Sequence, residues 1–154
     1  MDVRLLQQLL EHRKAREQKL ARERQLAVSQ HQRAEAALTQ LNHYATEYRH
    51  VGAAARKGQV QAGYLHDALE FGARLDETGR VQEAGLVEHR ARAETATRHL
   101  LVAWQQREVL GRVLDGELRL QQRMRLSSEM NELEDQVSSR QGRLSGTDGA
   151  ERSA

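Results

Sequence analysis

The chain has 154 residues, no cysteine and no proline, with 30% charged and only 3% aromatic side chains. Disulfides and thiolate metal sites are excluded, a thick globular core has too little bulky apolar material, and no stretch approaches the ~18 apolar residues that span a bilayer. The net charge of +2 gives a sequence pI near 9.3 through a small excess of arginine, so no concentrated polyanion-binding surface follows. The N-terminus has no hydrophobic signal-peptide core, and the expectation is a soluble cytoplasmic protein.

Proline breaks helices because it lacks an amide donor and clashes with the preceding turn. Its absence coincides with a sustained seven-residue apolar repeat. Leu6, Leu20, Ala27, Ala34, Leu41 and Tyr48 share one heptad position, the pattern of a coiled-coil seam. The first helix is predicted over residues 2–57. Asp2 is a good N-cap, Arg56 and Lys57 sit at the negative end of the helix dipole, and Gly58 suits the C-cap. Its opening turns are basic (Arg4, Arg13, Lys14, Arg16, Lys19, Arg22, Arg24), and the plain reading of that cluster is a solvated face.

Residues 58–63 (GQVQAG) form the credible turn between long helices. The second helix is predicted over residues 64–141. Its seam reads Leu65, Leu69, Leu75, Leu86, Ala93, Ala96, Leu100, Ala103, Leu110, Leu114, Leu118 and Met124. It continues through Leu126, Met130, Leu133 and Val137. Acid-before-base pairs at i, i+4 support the exposed face: Asp76–Arg80, Glu88–Arg92, Glu94–Arg98, Glu108–Arg112 and Asp115–Arg119. Gly72, Gly79, Gly85 and Gly111 oppose it, each by about 1 kcal/mol relative to alanine, and they predict a weak or kinked stretch between Gly72 and Gly85. Residues 142–154 are small and polar and predict a disordered tail.

A short turn between long helices makes them antiparallel neighbours. The fold class is therefore all-α: a long antiparallel two-helix coiled-coil hairpin with a disordered C-terminal tail, the second helix extending past the start of the first. The seam has polar interruptions at Arg13, Glu17, Arg24, His31, Arg107 and Gln121, so its terminal end is marginal when alone. The histidines (His12, His31, His43, His50, His66, His89, His99) carry no metal-ligand spacing. The glycines around AAARK lack the order of a phosphate loop. No catalytic constellation has a rigid scaffold. The chain therefore reads as a non-enzyme without cofactor or metal. Interleaved acids and scarce aromatics oppose nucleic-acid binding.

The aromatics are placed informatively. Tyr44, Tyr48, Tyr64 and Phe71 flank the turn, and only Trp104 lies elsewhere. One reading is that Tyr48 and Leu41 close the coiled-coil core. Another is a partner-binding patch, with Tyr48 inward and Tyr44 and Phe71 outward.

Several segments, in order, carry a resemblance. They are RLLQQLLEHRKAREQ at the start, LNHYATEYR from Leu41 to Arg49, a glycine-containing turn, YLHDALEFGARLDE through Phe71 and Leu75, LLVAWQQRE around Trp104, and EMNELEDQV. The chain resembles the flagellar export FliJ family and the related stalk proteins of virulence-type secretion systems, over residues 3–137. The resemblance implies a soluble stalk-like adaptor, peripheral at the inner-membrane export apparatus. Its paired termini would enter the pore of the hexameric export ATPase, with Leu6, Leu10, Arg13, Met130 and Leu133 at that end. Leu41, Tyr44, Tyr48, Phe71 and Leu75 would face the cytoplasmic domain of the export-gate membrane protein. Export chaperones are further implied partners. A generic coiled-coil scaffold and an export-substrate chaperone are the alternatives.

Overall fold

The computed structural model describes residues 1–58 and 61–150, with Ala55 and residues 147–150 described by backbone alone. Two helices account for the fold, α1 (Val3–Arg56) and α2 (Ala62–Ala150). The predicted N-cap is present: the Arg4 amide donates to the Asp2 carboxylate at 2.9 Å, and the Leu6 amide to the Asp2 carbonyl at 3.1 Å. At the other end of α1 the Lys57 amide donates to the Ala54 carbonyl at 3.2 Å. Gly58 then takes φ +76°, a left-handed conformation open to glycine because it lacks a Cβ. Of the predicted turn, Gln59 and Val60 lie outside the described residues. α2 starts at Ala62, two residues before Tyr64, with the Leu65 amide bonded to the Gln61 carbonyl.

The chain divides into two compact units. The first comprises residues 13–106, where α1 and α2 run antiparallel. The inward positions of α1 run through Glu17, Leu20, Ala27, His31, Ala34, Leu38, Leu41, Ala45, Tyr48 and Gly52, at steps of three and four residues except for one of seven between Leu20 and Ala27, where Arg24 is exposed. Those of α2 run through Ala68, Gly72, Leu75, Gly79, Leu86, His89, Ala93, Ala96, Leu100 and Ala103. Cross-helix contacts fix the register. A Cβ on Gly79 would lie 3.8 Å from Leu41 Cδ2, one on Gly52 would lie 3.8 Å from Leu69 Cδ2, and the Arg24 Nε donates to Thr97 Oγ1 at 3.0 Å.

In that register large residues meet small ones near the turn: Leu41 faces Gly79, and Tyr48 faces Gly72. A Cβ on Gly72 would meet nothing within 4 Å and one on Gly79 would meet Leu41 only at ordinary contact distance, and α2 runs unbroken through Gly72, Gly79 and Gly85. Further from the turn polar side chains enter the seam. Arg13 Nη1 donates to Gln106 Oε1 at 2.8 Å. His31 faces His89, and each keeps a buried Nδ1 with no hydrogen-bond partner among the described residues.

The second unit comprises residues 1–12 with residues 107 onward. Leu6 and Leu114 are buried, and Val3, Leu10 and Leu110 are half-buried between them. The N-terminal ammonium reaches Glu117 Oε1 at 3.3 Å. There the pairing ends. Every described residue from Leu118 to Gly146 is exposed. The seam predicted to continue through Leu118, Met124, Leu126, Met130, Leu133 and Val137 therefore stops at Glu117, beside the start of α1.

α2 itself continues past the predicted end at Gln141 to Ala150, through residues whose composition predicted a tail. No proline intervenes, and adding a residue to a formed helix costs far less than nucleating one. Residues 151–154 lie outside the described region.

The exposed ion pairs differ in part from the expected set. Glu88–Arg92 and Glu108–Arg112 form at 3.7 and 3.8 Å. Asp76 instead reaches across to Arg49 at 3.1 Å, and Glu94 pairs with Arg90 at 3.2 Å.

Candidate functional site: an aromatic surface near the turn

The aromatic residues converge within the unit of residues 13–106. Tyr48 lies at an inward heptad position of α1 and is only half-buried, with its ring at the seam's edge. Phe71, one position before inward-facing Gly72 on α2, comes to meet it. Their ring centroids are 4.7 Å apart with planes inclined at 55°, a tilted geometry favoured by the quadrupoles of two aromatic rings. Tyr48 is half-buried, whereas Phe71 keeps 43% of its surface exposed and Tyr44, one turn before Tyr48, keeps 45%. The expectation of Tyr48 inward with Tyr44 and Phe71 outward matches this arrangement.

Polar neighbours hold these rings. Gln40 Nε2 donates to the Tyr44 hydroxyl at 3.2 Å. His43 stands 6.3 Å from the Tyr44 ring and 3.2 Å from the Glu47 carboxylate. Arg74 pairs with Glu70 at 2.6 Å one turn along α2. Two shallow grooves flank the Tyr48 ring. One is lined by Tyr64, Asp67, Ala68, Phe71 and Arg74. The other is lined by Ala45, Arg49, Gly52, Leu69, Gly72 and Asp76, and the Arg49–Asp76 ion pair lies along it. Such a surface offers apolar area with fixed polar edges, which suits a protein partner.

Of the five residues expected to face the export gate, Leu41 and Leu75 are half-buried in the seam. Leu41 packs on Gly79 and supports the patch from below. Tyr44 and Phe71 are accessible, and Tyr48 is accessible at its edge. Leu69 and Tyr64 also reach the surface beside them, 49% and 56% exposed. The sequence reading did not select them for partner contact. Leucine at a spacing of four after Leu65 imitates a core position, which places Leu69 in the predicted seam.

The residues expected at the terminal end separate into different settings. Leu6 is buried and Leu10 half-buried within the seam, and Arg13 is engaged with Gln106. Met130 and Leu133 are 61% and 60% exposed.

Among the described residues, no helix is long and apolar enough to cross a membrane, and no group of three or more histidine, acidic or cysteine side chains is placed to hold a metal ion.

The profile of the flagellar FliJ protein family matches residues 2–146 of this sequence. The chain belongs to the FliJ family. No curated protein and no solved structure gave a significant match. Membership makes the chain a component of flagellar protein export.

Proposed function

We propose that this FliJ-family chain is a stalk-like adaptor that links the hexameric export ATPase to the cytoplasmic domain of the export-gate membrane protein. The observation that carries the reading is the aromatic surface of Tyr44, Tyr48 and Phe71. Exposed aromatics cost solvation without a partner and are enriched at binding hot spots. Leu41 and Leu75 stiffen its base from inside the seam. The gate domain is the partner assigned to this surface, and the ATPase is assigned to the terminal end of the chain.

Pull-down and calorimetry with the two purified partners test the proposal. Both should bind the full chain. Tyr44→Ala with Phe71→Ala should weaken gate binding at least tenfold, with helicity by circular dichroism and ATPase binding unchanged. Loss of helicity in that variant would make the rings structural, and failure of the folded wild-type chain to bind either partner would remove the adaptor reading. Chaperone delivery is tested in the same format with purified export chaperones.

A further inference from the structure

Beyond Glu117, α2 changes the face on which it carries apolar side chains. In the paired region the inward positions continue as Leu110, Leu114 and Glu117. Extending that same heptad phase gives Gln121, Met124, Ser128, Asn131, Asp135 and Ser138, a face that is polar except for Met124. Leu126, Met130, Leu133 and Val137 follow one another at spacings of four, three and four, so they form one row. Their phase places that row on the side of the helix away from the seam. All four are more than half exposed.

The charge around this row is one-sided. Residues 126–139 contain Glu129, Glu132, Glu134 and Asp135 and no lysine or arginine. Glu129 and Glu134 edge the apolar row on its two sides. None of the four carboxylates is in an ion pair among the described residues. Within a chain of net charge +2, this segment is a local acidic block built around a leucine–methionine strip.

A second copy is a poor occupant. Parallel pairing through the row would set Glu129 beside Glu134 of the other copy, which is repulsive. Antiparallel pairing centred on the row stacks Leu126 on Val137 and Met130 on Leu133, then brings Arg123 against Arg140 at both ends. The charge instead complements an apolar strip edged by basic side chains.

We infer that the ATPase contact is made by α2 alone, through this outward row, and that the ring surface it meets is an apolar strip edged by lysine or arginine. The inference rests on the reading that the termini engage the export ATPase. It removes Leu6 and Leu10 from the contact, since both are occupied within the hairpin.

The test uses the full chain and the purified ATPase hexamer across a salt series. Wild-type affinity should fall as salt rises. Met130→Ser with Leu133→Ser should weaken binding at least tenfold, and Glu129→Lys with Glu134→Lys should do the same, while Val81→Ser leaves it unchanged. A photocrosslinker at position 130 or 133 should capture the ATPase, and one at position 128 or 135 should not. Absence of wild-type binding would overturn the ATPase reading itself. Wild-type binding with both double variants unaffected, capture from 128 and 135 instead, or a sedimenting dimer abolished by the serine variants would overturn this inference and leave the adaptor reading standing.

Discussion

The aromatic end of the residue 13–106 unit and the free stretch of α2 after Glu117 both expose apolar surface, but they are built differently. Near the turn, two helices cooperate. Large residues of α1 face small ones of α2 in the seam, and the exposed rings sit beside that paired layer. After Glu117 a single helix carries a row with nothing beneath it. The comparison teaches that heptad spacing alone does not identify a core. What matters is whether the phase of the row agrees with the phase of the paired region.

Mutations can break this distinction by making the two regions respond alike. Leu38, 9% exposed in the seam, should lose about 2–3 kcal/mol on Leu38→Ala, the low end for a buried leucine because the core is thin. Leu133→Ala should leave the thermal midpoint of the free chain unchanged. Equal losses, read by thermal melts, would mean that the free row is packed.

His31→Leu with His89→Leu should stabilise the hairpin by about 1–3 kcal/mol, because two buried nitrogens without partners are replaced by apolar volume. A lowered midpoint would show that the histidine layer is held by interactions absent from the described residues.

Smaller effects sharpen the comparison at single positions. Asp2→Ala should cost about 1 kcal/mol through loss of the N-cap, seen as faster amide exchange in the first turn. Gly85→Ala should gain about 0.5–1 kcal/mol, since an added Cβ meets nothing within 4 Å and alanine is the better helix former. Arg49→Ala should change stability least, by less than about 1 kcal/mol, because the Arg49–Asp76 pair is exposed to solvent.

Much of the fold is legible in the residues. Missing proline, the heptad positions from Leu6 to Tyr48, Asp2 and Gly58 specify α1 through local chemistry. The hairpin follows from one short turn. Where α2's seam ends is not local. It depends on where α1 begins, so Leu126 to Val137 look like core until the partner runs out. The glycines mislead for a related reason: Gly79 weakens a helix by propensity, but it lies in the paired seam beside Leu41 and α2 runs through it unbroken.

The candidate site is legible as a cluster because aromatics are scarce enough for their positions to stand out. Which of them point outward follows from phase, as with Tyr44. Leu69 and Tyr64 fall outside the expected contact set, because leucine four residues after Leu65 imitates a core position and nothing local distinguishes Tyr64 from the other turn-flanking aromatics.

Each layer of the hairpin in residues 13–106 touches only the layers above and below it, with the register repeating every seven residues. Such a construction is a ruler. Inserting one heptad in α1 after Arg24 and one in α2 after Ala96 preserves every facing pair, and it moves the aromatic surface outward by about 10 Å at 1.5 Å per residue. Length can thus be varied in discrete steps without altering either the seam or the surface at its tip.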